Sequence, residues 1–128
     1  MQPQSPQSLF DSDPDAPYAQ LGVDFAGAMV SGDFARAHSM LSADLRGSLT
    51  VEGLQFEFDA CFAYVEGPLC EVEVVGTLEA EELDPRSPTD AGWAYLTIQG
   101  TNTYGGLAIV VSAEQARLVV REVQWGRP

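Results

Sequence analysis

The chain has 128 residues, enough for one hydrophobic core and too few for two. It is 45% hydrophobic, with six Phe, four Tyr and two Trp, which excludes a disordered chain because that much apolar area offsets chain entropy. Nineteen acidic residues oppose six basic ones, all Arg, and the net charge of −13 excludes nucleic acid and anionic membrane surfaces as partners, since no Arg cluster overrides the repulsion.

Residues 1–15 are rich in Pro, Gln, Ser and Asp, with Leu9 and Phe10 as an apolar pair, and read as a flexible arm that can clip onto the sheet or a partner. The arm has neither the basic start nor the apolar stretch of an export signal, and no apolar run approaches the ~20 residues that span a bilayer. The cytoplasm is the expected compartment, and a single domain is expected over 16–128.

The apolar spacing then changes period once, near residue 66. Residues 18–65 repeat every three to four positions and residues 70–125 alternate, so helices precede a meandering sheet. The first helix starts at Asp15, Ala16 and Pro17 and runs from Tyr18 to about Val30, with Leu21, Phe25, Ala28 and Met29 on one stripe. Ser31-Gly32-Asp33 breaks it, and Asp33 caps a second helix that turns Phe34, Ala37, His38 and Leu41 inward. A short turn follows over Ser42–Arg46, closed by Gly47. Thr50 caps the third long helix, whose inward stripe is Leu54, Phe58, Cys61, Phe62 and Val65, and Gly67-Pro68 closes the helical half.

Strand one is expected over Cys70–Leu78, with Glu71 and Glu73 on its wet face. Residues 66–92 carry eight acids (Glu66, Glu71, Glu73, Glu79, Glu81, Glu82, Asp84, Asp90) against Arg86 alone, so this strand is expected at a solvated sheet edge and 79–91 as an acidic loop in water. Such a long connection is functional or mobile. Strand two covers Gly92 to about Thr101, with Ala94, Leu96 and Ile98 on one side and Trp93, Tyr95, Thr97 and Gln99 on the other. A turn over Asn102–Gly106 leads to strand three, Leu107–Ser112, and strand four covers Arg117–Trp125.

Both faces of strands two and four carry apolar side chains. Alternation points Leu118 and Val120 one way and Val119, Val123 and Trp125 the other. Helices on one face would leave Trp93, Tyr95, Val119, Val123 and Trp125 in water, and the expectation is a homodimer formed through them.

Three helices before an antiparallel sheet resemble the nuclear transport factor 2-like superfamily, an α+β cone that includes the SnoaL and ketosteroid-isomerase branches and is also called cystatin-like. Phe25-Ala26-Gly27-Ala28-Met29-Val30-Ser31-Gly32-Asp33-Phe34-Ala35-Arg36-Ala37 is similar to that superfamily's first helix, Gly-Asp turn and second helix. Leu41–Arg46 and Leu49–Leu54 resemble the segment that follows, and Trp93–Ile98 and Leu118–Trp125 its central strands. The likeness covers about residues 17–127. It implies three helices on a curved sheet of about four strands, a conical pocket between them and dimerisation through the convex face. Family members bind small molecules, catalyse reactions or do neither, and fold does not choose among these.

The residues add little chemistry. His38, the one histidine, shares a stripe with Phe34 and Leu41 and reads as a hydrogen-bonded core residue before a general base. With Cys61 and Cys70 on separate elements it makes no zinc set, so no metal and no cofactor is expected, and both thiols are expected reduced. Asp59 and Tyr64 flank the inward stripe of the third helix, where isomerase-type chemistry wants a carboxylic acid and a phenol. No isomerase motif aligns to them, and no catalytic residue is assigned. On strand four either Glu122 and Gln124 or Arg121 enters the cavity. If Leu118 and Val120 face the helices, the two acceptors do, and they recognise a neutral or cationic ligand.

The candidate ligand-binding residues are therefore His38, Tyr64, Glu122 and Gln124. By elimination the chain reads as a non-catalytic, dimeric small-molecule-binding or interaction module. Two alternatives stand beside it: an acid/base enzyme using Asp59, His38 or Tyr64, and an acidic protein that sequesters a basic partner, as bacterial immunity proteins do.

Overall fold

A computed structural model describes residues 13–83 and 87–126. Four helices, α1 (Pro17–Val30), α2 (Phe34–Ser39), α3 (Ala43–Ser48) and α4 (Val51–Phe62), precede strands β1 (Val72–Glu79), β2 (Asp90–Gln99), β3 (Tyr104–Glu114) and β4 (Arg117–Trp125). The strands form one antiparallel sheet in the order β1-β2-β3-β4, so the chain is α+β as its spacing predicts.

Local chemistry sets the helix boundaries. Pro17 opens α1, where a missing N–H costs nothing. Ala16 rather than Asp15 is the cap and it makes no side-chain bond. Gly32, at φ +85°, ends the helix in the left-handed region that glycine enters freely. The carboxylate of Asp33 and the hydroxyls of Ser42 and Thr50 then accept the backbone N–H of Arg36, Leu45 and Gly53. Caps at this spacing keep α2 and α3 to six residues each, and the expected turn after Ser42 is a short helix.

The helices cover one sheet face. Ala94, Leu96 and Ile98 from β2, Leu107, Ile109 and Val111 from β3, and Val120 from β4 join Phe25, Met29, Leu54 and Phe58 in the main core. Tyr18 lies flat over Gly92, where an added Cβ would stand 2.7 Å from the ring. Its hydroxyl donates to Glu79 Oε2 at 3.0 Å, and burial together with that carboxylate pushes the phenol up to about 12. The segment before α3 seals the β4 edge: Leu41 bridges to Val120, whose N–H donates to the Met40 carbonyl while Ser42 N–H donates to the Val120 carbonyl.

Three bulges interrupt the pairing, at Val75, Ala91 and Arg121. The third corrects the reading of β4. Val120 pairs with Val111 and Glu122 with Val110, so Arg121 is an extra residue, and alternation changes phase across it. Leu118 and Val120 face the helices, and so do Val123 and Trp125, which alternation alone assigns to the reverse side. Trp125 meets the edge of Phe58 with ring centroids 6.3 Å apart.

The reverse side is not bare. Leu83, just past the 3-10 turn Ala80–Glu82, packs with Leu78 and Tyr95 against Trp93, Ala108 and Val110 in a second small core. Trp93 is 6% exposed there and Val119 is fully buried. Of the five residues expected to face a dimer partner, two are covered within the chain and two turn toward the helices. Tyr95 alone keeps partial exposure on that side. The acidic connection is thus anchored to the sheet at Leu83 and not wholly in water. Its residues 84–86, residues 1–12 of the expected arm, and residues 127–128 lie outside the described residues; Asp13 N–H donates to Thr77 Oγ1.

Candidate functional site

The position of a conical pocket, between helices and sheet, is filled by Phe25, Met29, Leu41, Leu54, Leu96 and Ile109, each under 2% exposed. Side chains at interior density leave no room there for a ligand of ordinary size. A functional surface has to be sought outside the core.

The four sequence-derived ligand residues do not converge. His38, on α2, holds its Nε2 2.6 Å from the Leu49 carbonyl oxygen, a bond that ties α2 to the entry of α4. Tyr64, just past α4, is 63% exposed and donates to the Tyr104 carbonyl at 3.4 Å. Glu122 and Gln124 lie on the reverse side, because of the bulge, and bond to each other at 2.8 Å. They rim a cleft of about 450 Å³ whose wall includes Trp93 and Leu83. Asp59 is exposed on α4. No pair among these residues shares a site in which a proton could be exchanged, and the expectation that Glu122 and Gln124 point inward is corrected.

The strongest polar constellation was not singled out by sequence. Asp90, whose side chain is fully buried, receives Arg121 Nε at 2.8 Å and Nη2 at 2.9 Å, Ser112 Oγ at 2.6 Å and Ser87 N–H at 2.9 Å. Burial alone would raise its pKa. The hydrogen bonds from Arg121, Ser112 and Ser87, with the guanidinium charge, outweigh burial and hold the carboxyl below the usual carboxylate range. A carboxylate so paired is a poor proton acceptor. It is a clamp that fastens the end of the acidic connection to β3 and β4, and the alternating pattern of β2 gave no sign of it.

The exposed aromatics assemble elsewhere. Phe56, 74% exposed, projects from α4 off the inward stripe, and with Ala60, Cys61 and Tyr64 it forms one wall of a groove of about 400 Å³; Trp125, at the end of β4, forms the other. Trp125 Nε1 donates to Glu57 Oε1 at 2.7 Å, and with the Phe58 contact this fixes the indole in place. Burial pushes the Cys61 thiol at the groove floor up, more than its bond with the Gly126 backbone lowers it. Cys61 and Cys70 are unbridged. Phe56 was passed over in the sequence, although its place off the Leu54, Phe58 and Cys61 stripe was the available sign of exposure. Trp125 gave no such sign, because the bulge hid its face.

Among the described residues no group of three or more His, Cys, Asp and Glu side chains is placed to hold a metal ion, and no helix is long and apolar enough to cross a membrane. No family model, curated protein or solved structure matches the chain.

Proposed function

We propose that this chain is a non-catalytic interaction module of the nuclear transport factor 2-like type, which works through its outer surface and takes a basic protein as its partner. The observation that carries this reading is the filled interior: where such a cone would hold a small molecule, Phe25, Met29, Leu54 and Leu96 occupy the space themselves. Contacts with other molecules then fall to the surface, and a net charge of −13 favours a partner of opposite sign.

The acid/base alternative has less support. His38 is engaged by the Leu49 carbonyl, and Asp59 and Tyr64 stand in solvent where nothing desolvates them. Pairing of two copies through the reverse side of the sheet also has less support, because Leu83 already covers Trp93 and Val110.

The test is capture from a lysate of the native cell on the immobilised chain, beside a globular control domain of equal charge. The expected result is a basic protein retained by this chain and not by the control. It should be released as salt rises from about 0.1 M to about 1 M, which shortens the screening length from about 10 Å to about 3 Å. Identical eluates from chain and control would overturn the reading.

A further inference from the structure

We infer that the groove between α4 and the end of β4 is the anchor site for an arginine or lysine side chain carried on an apolar segment of the partner. This rests on the interaction reading and adds to it a place and a chemistry. Three aromatic residues, Phe56, Tyr64 and Trp125, line one groove, and the π faces of such rings attract a guanidinium or ammonium group. Glu57 adds a carboxylate at the wall, beside the indole it holds. On the surface of α4, Glu52 lies one turn before Phe56 and Asp59 three residues after it, so both are neighbours of the exposed ring. Among the described residues, none of those lining the groove is basic.

One wall is also set in advance. Trp125 is held by Glu57 and Phe58, so an arriving side chain does not have to immobilise the indole. Charge decides between occupants. A second copy would bring another −13 against the first and set carboxylate against carboxylate, and phosphate-bearing ligands meet the same repulsion. A cation with apolar neighbours satisfies both the rings and the acids.

The experiment titrates the whole chain, followed by amide and indole N–H resonances, with three capped hexapeptides: alternating Arg-Leu, alternating Glu-Leu and alternating Arg-Ser. The Arg-Leu peptide should bind about tenfold more tightly than either of the others and move the Trp125 indole resonance, not that of Trp93. Phe56→Ser and Tyr64→Ser, at exposed positions that leave the core intact, should each weaken binding about tenfold with unchanged melting temperature. Glu57→Gln keeps an acceptor for the indole and removes the charge, and should weaken binding of the Arg-Leu peptide and not of the Glu-Leu peptide.

Equal binding of the Arg-Leu and Glu-Leu peptides would overturn the inference, leaving only a greasy groove. So would shifts confined to other surfaces, or sedimentation showing a dimer that Phe56→Ser dissociates. If lysate capture of the basic partner persists in both serine variants, the groove fails while the interaction reading stands; if the unaltered chain captures nothing beyond the control, it is the reading that fails.

Discussion

Arg121 closes both oxygens of Asp90, its Nε and Nη2 at 2.8 and 2.9 Å, from a bulge that the β4 pairing does not otherwise use. The guanidinium is about one-third exposed while the carboxylate side chain is fully buried, so the two partners stand in different media. Losing the Arg strands a charge in the interior. Losing the Asp leaves a cation that water can still reach.

Arg121→Leu is therefore expected to destabilise the chain by about 1.5–3 kcal/mol in urea unfolding, the worth of hydrogen bonds to a charged group. Asp90→Asn with Arg121→Leu should cost less than the two single changes added together, because the second change removes the charge that the first leaves unpaired.

Acid should act through the same pair. The Asp90 pKa is lower folded than unfolded, so its contribution to stability is complete above the unfolded value of about 3.9 and is lost as pH falls through the folded value. In Arg121→Leu burial is less opposed and the folded pKa rises. Urea midpoints measured down a pH series should then fall less below about pH 3.9 in the variant than in the parent, because the gap between the unfolded and folded values that drives the loss has narrowed, and curves that fall in parallel would contradict the assignment.

Gly92→Ala should destabilise by about 1–3 kcal/mol, as overpacking does, because the new methyl meets the flat of the Tyr18 ring, which Glu79 holds in place. Gly92→Ala should cost less in a Tyr18→Ala background than in the parent, because the ring it strikes is gone. The thermal midpoints of the parent, the two single variants and the double variant measure this.

The turn between β3 and β4 offers a gain. Gln115 and Ala116 stand at φ +51° and +66°, left-handed values that two-residue hairpin turns require and that these side chains resist. Asn at 115 with Gly at 116 should stabilise the chain by about 1 kcal/mol, read as a shift of the urea midpoint at unchanged slope.

Leu83→Ala should uncover Trp93 and shift its emission to the red, with a loss of about 1–2 kcal/mol from the buried methyl and methylene groups. Measuring the shift in a Trp125→Phe background isolates the Trp93 signal. An unchanged spectrum would mean that Leu83 does not cover the indole.

How far the fold was legible follows from which signals are local. The Asp33, Ser42 and Thr50 caps act within three residues, so the helix starts they mark could be read directly. The split of β2 into Leu96 and Ile98 against Trp93 and Tyr95 also held, because that strand is unbroken after Ala91. The face of Trp125 was lost to Arg121: a bulge is a relation between two strands, and a single strand's alternation does not record it. Leu83 was passed over as one apolar residue in an acidic run, although a lone leucine among carboxylates was the available hint. Asp90 was read as loop because its partners Ser112 and Arg121 lie 22 and 31 positions away.

The two margins of the sheet are unequal. Residues 40–42 close one side, whereas no strand among the described residues lies along the outer side of β1, where Glu71 and Glu73 stand exposed. Addition of a further strand is therefore blocked at Val120 on one margin, and on the other like charge would face like charge. Carboxylates along an open strand edge oppose the pairing of identical copies there, a charge effect separate from anything the core contributes.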